Sequence, residues 1–298
     1  MQVRVNPQFS KCLALTGLGI ALVASAALVH FVLAPQWLRL PAAHAEARLE
    51  ATSRMRDRAD GDWAERRLTA RRVDQALVLS DDHVVIQGDV HWSTDDGDLV
   101  FERVGIYGVD RHTRANLPAY GDTERHGQYG FPPHVRRQTY RYWDPQFIGA
   151  REAHYVSDER RADLTVMRFD FEARDLDETN GFRRLPDVPH RFDAHTEGNG
   201  SFWVEPTSGL VVDYAEHGRS YFVEPVTGKA VADFYRWDAR FTSETRAQRQ
   251  LLARNALHRI LLLETAMPAL TLAVGLALVA SAAGIHLRHR AAAAGSVS

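Results

Sequence analysis

The chain has 298 residues, 45% of them hydrophobic and 25% charged, with a formal net charge of -2. That length holds one large or two small domains, and 36 basic against 38 acidic residues provide no basic face for phosphates, which excludes nucleic acid as a partner class. Cys12 is the single cysteine, so no intrachain disulfide staples the fold and each domain must stand on its core.

Apolar residues concentrate at the two ends. After a tail over residues 1–11 that carries Arg4 and Lys11, residues 12–33 read CLALTGLGIALVASAALVHFVL without a charge. At about 1.5 Å per residue this run can cross about 30 Å of hydrocarbon, and it predicts a first transmembrane helix. Ala43-His44-Ala45 has the small-x-small spacing of a signal cleavage site. The apolar run is longer than a signal h-region, however, and Pro35 and Pro41 separate it from that site, so a retained span is the stronger reading. Residues 34–60 include AHAEARLEATSRMRDRAD and read as a helical connector.

Residues 61–242 change to short alternating apolar runs and predict a β-rich, mainly antiparallel domain. VDQALVL (73–79), HVVIQGDVHW (83–92), LVFERVGIYGV (99–109), QTYRYW (138–143) and LTVMRFDF (164–171) have strand composition and turn-rich flanks, as in a meander or sandwich. Further along, Phe202-Trp203-Val204-Glu205-Pro206-Thr207-Ser208-Gly209 is echoed 19 residues later by Tyr221-Phe222-Val223-Glu224-Pro225-Val226-Thr227-Gly228. Proline presets φ for a turn and glycine takes the positive φ that closes it, so Trp203, Glu205, Pro206 and Gly209, then Phe222, Glu224, Pro225 and Gly228, read as strand–turn units of consecutive hairpins.

Residues 243–264 place Leu251, Leu252, Ala256, Leu257 and Ile260 at helical spacing, as in an amphipathic juxtamembrane helix. Residues 265–285 form a second apolar run with Pro268 near its outer end, and predict a second transmembrane helix. The tail over 286–298 holds Arg288 and Arg290 and no acidic residue. Basic flanks mark the cytoplasmic side, so both termini are expected inside and the β domain outside a bacterial cytoplasmic membrane. Gly17, Ala21 and Ser25 in the first span, and Ala273, Ala277 and Ser281 in the second, recur every fourth position as a ridge for helix packing or oligomerisation.

Chemistry-bearing patterns are sparse. Glu205 and Glu224 could be taken for an acid–base pair, but both precede a turn proline, which favours a hairpin role. Of the histidines His83, His91, His112, His126, His134, His154, His190, His195 and His217, none has metal-ligand spacing. No GxSxG, phosphate loop or Cys/His nucleophile pattern occurs, so no cofactor, metal or catalytic residue is expected.

The order of Val109-Asp110-Arg111, Tyr120-Gly121-Asp122, Arg125, Phe131-Pro132, Tyr140, Trp143-Asp144-Pro145 and Trp203-Val204-Glu205-Pro206 to Gly209, closed by a C-terminal span, resembles the bacterial porin PorA-like membrane family. The resemblance covers nearly the whole chain and implies a two-span envelope protein with an extracytoplasmic domain and, by the family's name, pore formation. Beside it, the residues favour a membrane-anchored α+β protein, without catalytic function, that meets membrane lipid and presents its β domain to an envelope partner or to further copies of itself. A pore component and a lipid-binding domain are the alternatives. The polar positions within the spans, Thr16, Ser25, Thr271 and Ser281, are few and small for a channel lining.

Overall fold

The computed structural model describes residues 7–40, 45–144 and 149–295. It divides into two compact units, Met1–Arg39 with Ala256–Ser298, and Leu40–Asn255. Arg4, Pro41 and Pro145 lie outside the described residues.

In the first unit, helix α1 (Pro7–Leu28) continues through a π-helical turn (Val29–Leu33) into the short α2 (Ala34–Trp37). On the C-terminal side, α3 (Ser243–Leu261), which starts in the second unit, passes through a π-helical turn (Leu262–Ala266) into α4 (Met267–Gly295). Each side holds a helix long and apolar enough to cross a membrane, Lys11–Trp37 and Ser243–Arg288. The α1 and α4 helices pack as an antiparallel pair. Cys12 and His286 line one cavity, Gly19 and Gly275 meet backbone to backbone, and His30 Nδ1 donates to the Glu264 carbonyl at 2.9 Å. A Cβ on Gly19 would fall 2.7 Å from Gly275 O, so only glycine allows this approach.

The seam is not the ridge expected from the sequence. Gly17, Ala21, Ser25, Ala273, Ala277 and Ser281 are exposed, whereas Gly19, Ala26, Gly275 and Ala282 are buried. In Ala-rich helices several faces carry small residues every fourth position; backbone contact selects the face where both helices have glycine.

The second unit carries the β structure. Among the described residues ten strands form one antiparallel sheet: β1 (Ala45–Met55), β2 (Ala64–Leu79), β3 (His83–Thr94), β4 (Leu99–Asp110), β5 (Tyr140–Asp144), β6 (Gly149–Arg161), β7 (Leu164–Asp177), β8 (Asp193–Glu205), β9 (Leu210–Val223) and β10 (Ala230–Phe241). The order is β4-β3-β2-β1-β10-β9-β8-β7-β6-β5. Residues 111–139 then bridge the two edge strands. Leu117 N donates to Gly108 O on the β4 side, Asn116 N to Gly127 O, and Gln128 N to Arg141 O on β5, at 2.8, 2.8 and 2.6 Å. These local bridges join the two ends of the sheet, which thereby curls into a barrel.

The inside of that ring is filled. Inward positions of β1, β2, β3, β5, β7, β8 and β10 meet in one core with Phe131, whose ring lies 4.9 Å from Phe169, 5.4 Å from Tyr140 and 5.7 Å from Phe202. Each fully buried aromatic of this kind contributes on the order of 2–3 kcal/mol through area removed from water. A smaller core of Val188, Phe192, Phe222 and Phe234 fills the far end.

One expected element is corrected. The helical connector over 34–60 instead contains strand β1 over Ala45–Met55, with the domain starting before residue 61. The Ala, Glu, Arg and Leu of this segment are good helix formers. Yet Ala47, Leu49, Ala51 and Ser53 alternate inward with period two, and pairing to β2 on one side and β10 on the other overrides propensity.

Candidate functional site

The two repeat turns sit at opposite ends of β9. That strand of 14 residues spans about 45 Å at roughly 3.3 Å per residue, so Glu205 and Glu224 cannot share a reacting atom. Each carboxylate instead builds its own turn. Glu205 Oε1 and Oε2 accept from Thr207 N at 3.0 Å and Ser208 N at 2.7 Å, and Gly209 N donates to Glu205 O at 2.8 Å. In the second copy Glu224 Oε2 accepts from Thr227 N, and Gly228 N donates to Glu224 O, both at 2.8 Å. Gly209 and Gly228 adopt φ of +71° and +67°. The first turn is buried beneath residues 131–135, with Val135 N donating to Pro206 O; the second is in water. Trp203 Nε1 donates to Glu159 Oε2 at 2.8 Å, and Phe222 belongs to the smaller core.

The histidines stay dispersed. His195 Nδ1 lies 2.6 Å from Asp175 Oδ1, which also accepts from the Tyr221 hydroxyl at 3.0 Å. These partners hold the Asp175 carboxyl below the usual carboxylate range, while burial and then Asp175 push the Tyr221 phenol up to about 12. His154 Nδ1 meets Thr139, and His83 stacks on Tyr120 at 4.0 Å. Among the described residues no three His, Cys, Asp or Glu side chains are grouped to hold a metal.

A cleft of about 820 Å³ lies in the barrel wall. It forms where β6 leaves β7. Their pairing runs from Arg161↔Leu164 to His154↔Asp170 and stops, and from Ala153 back to Gly149 strand β6 pairs with β5 alone. Arg151, Glu152 and His154 form one rim; Asp170, Glu172 and Arg174 form the other. Behind them lie the apolar Phe171, Ala173 and Leu176. Gly200 opens the floor, since a Cβ there would meet the Phe171 ring at 2.6 Å. The β7 charges neutralise one another, Arg174 with Glu172 at 2.7 Å and Arg168 with Asp170 at 2.8 Å. The whole lining sets Arg151, Arg168 and Arg174 against Glu152, Asp170, Glu172, Glu216 and Asp238, so the arrangement offers hydrogen-bonding groups around an apolar floor with an acidic balance.

A second polar feature lies inside the ring. Arg72 and Asp74 point inward from β2, in the same alternation as Leu68 and Ala70, and pair at 3.1–3.2 Å. Tyr107 and Tyr129 surround them, and Arg249 of α3 comes in from the end of the barrel. The chain enters and leaves the barrel at this same end. Leu40 bonds to Arg111, which also reaches Ser80 at the end of β2, and Thr245 of α3 accepts from Arg48 N near the start of β1. A charge of each sign two residues apart on the apolar face of β2 is the sequence signal that would have located this cluster.

The outer wall is charged. Arg71 with Glu46, Arg219 with Glu197 and Arg240 with Glu50 form ion pairs across neighbouring strands.

Residues 12–284 match the family described as Porin PorA. No curated protein matches the chain.

Proposed function

The chain belongs to the Porin PorA family, and from that premise we propose a non-catalytic, two-pass protein of the cell envelope whose β-barrel is held outside the cytoplasmic membrane and binds a partner molecule at the β6–β7 cleft. The observation that carries this reading is the barrel's polarity. A barrel that spans a bilayer needs an apolar outer belt and, as a porin, a watery interior. This one has ion pairs outside and Phe131, Phe169 and Phe202 inside. Water outside and a packed core suit a domain tethered by α1 and α4, and both linkers leaving one end suit a helical hairpin. Both termini are then cytoplasmic, and membrane lipid surrounds α1 and α4.

The cleft suits an amphiphile, with a polar head among Arg151, His154 and Glu172 and an apolar part against Phe171 and Ala173. The test is native mass spectrometry of the full chain released from detergent. A co-purified amphiphile present in the parent and lost in Ala150→Trp, which fills the cleft from its rim, supports the reading. An equal load in both places binding elsewhere.

A pore formed by several copies is the second reading, and the family's description favours it. The exposed small residues Gly17, Ala21 and Ser25 of α1 leave a face available for self-association.

A further inference from the structure

The barrel end that receives the two linkers carries more positive charge than its neighbours neutralise. Arg72 and Asp74 balance one another. Arg249 is then brought up to that pair as a second cation. Burial, followed by the charge of Arg72, holds the Arg249 guanidinium below the usual arginine range, and Asp74, Tyr129 and Tyr142 act against this. Its Nη2 donates a long bond to the Glu46 carbonyl at 3.4 Å, and Nε has no partner among the described residues. The Tyr129 hydroxyl faces the same pair.

The backbone makes room here. Gly88 and Gly105 oppose one another across β3 and β4; a Cβ on Gly88 would fall 3.0 Å from Asp74 Oδ1, and one on Gly105 2.8 Å from Arg125 Nη2. Arg72 and Asp74 keep 23% and 14% of their side-chain surface accessible, although burial is the strongest influence on Arg72. The pair therefore borders accessible space and is not sealed within the core. Two guanidinium forks, which only donate, and a phenol hydroxyl, which can donate, face that space beyond the Asp74 pair, and a buried cation without compensation is costly.

We propose that this space is an oxyanion site, in which a carboxylate-, phosphate- or sulfate-type group lies between Arg72 and Arg249 and accepts a further hydrogen bond from Tyr129. The group arrives either as a free anion or as the acidic head of a lipid, since both offer the same oxygens. The site lies apart from the β6–β7 cleft and does not depend on the reading given to that cleft.

The test uses the full chain in uncharged detergent. Calorimetry with inorganic phosphate forms one arm, and mixed micelles containing phosphatidylglycerol, against phosphatidylcholine alone, form the other. The parent is expected to bind one of the two probes at a single site. Arg249→Met weakens that binding about tenfold or more, Arg249→Lys weakens it less, and Arg67→Met on the outer face of β2 leaves it unchanged. Phosphate binding identifies a free anion, and binding confined to phosphatidylglycerol micelles identifies a head group. Should Arg249→Met fail to fold, Tyr129→Phe asks the same question with a smaller expected loss. No binding of either probe, or binding that Arg249→Met and Tyr129→Phe both leave intact, overturns the proposal.

Discussion

Glu205 shows how one side chain organises a turn. Its two oxygens satisfy two backbone N–H groups while only 2% of the residue is exposed, so Glu205→Ala strands both donors inside the fold. The expected loss is about 2–3 kcal/mol, read from chemical or thermal unfolding of the full chain in detergent. Glu224 makes the related contact in water, and Glu224→Ala is expected to shift the same transition less. The glycines repeat the contrast. Gly209→Ala adds a Cβ that presses on the Pro132 carbonyl at positive φ, whereas Gly228→Ala meets open space and suffers backbone strain alone, about 1 kcal/mol. Acid sensitivity belongs to this scale too. Arg137 holds Asp158, and the bonds from His195 and Tyr221 hold Asp175, below the ordinary aspartate value of 3.8. A depressed carboxylate stabilises the fold above its unfolded pKa and loses that contribution as pH falls through the folded one. Unfolding followed against pH is expected to show stability holding down to about pH 5 and falling below about pH 4. The turn residues were legible because proline and glycine act locally. Arg72, Asp74 and Arg249 were not, because Arg249 meets its partners from 177 and 175 residues away, at sequence positions 249, 72 and 74.

At the scale of elements, the strands with alternating Val, Ile, Tyr and Phe were readable, and β1 was not. Its composition favours helix, and its strand state exists only between β2 and β10. The helix seam was equally hidden, since α1 offers small residues on more than one face and only the partner helix chooses among them. A chemical test follows from Cys12, which lines the same cavity as Ala282. Introducing Ala282→Cys and oxidising isolated membranes is expected to give an intramolecular disulfide. Gly19→Ile, which wedges the helices apart at Gly275, is expected to reduce that yield severalfold, and Gly17→Ile, with nothing within 4 Å, to leave it unchanged. Equal yields in both would place the contact on another face. The α3 helix repeats the lesson. Leu251 and Leu252 are exposed, while Thr245, Ala253 and Ile260 are buried.

At the scale of the molecule, strand order and closure decide what the barrel can do. Sequential strands pair with their neighbours, β1 and β10 join the two halves, and residues 111–139 seal β4 to β5. The ring that results is packed with aromatic side chains and carries ion pairs on its outer wall, which is the reverse of a membrane-spanning porin barrel. A tethered barrel that binds is the function this polarity supports, with the pore reading left to assemblies of α1 and α4. Conductance of the purified full chain in planar bilayers, with insertion verified by protease protection, tests that claim most directly. The account predicts the current of bare lipid at every voltage, and stepwise currents that vanish when protease removes the barrel would contradict it.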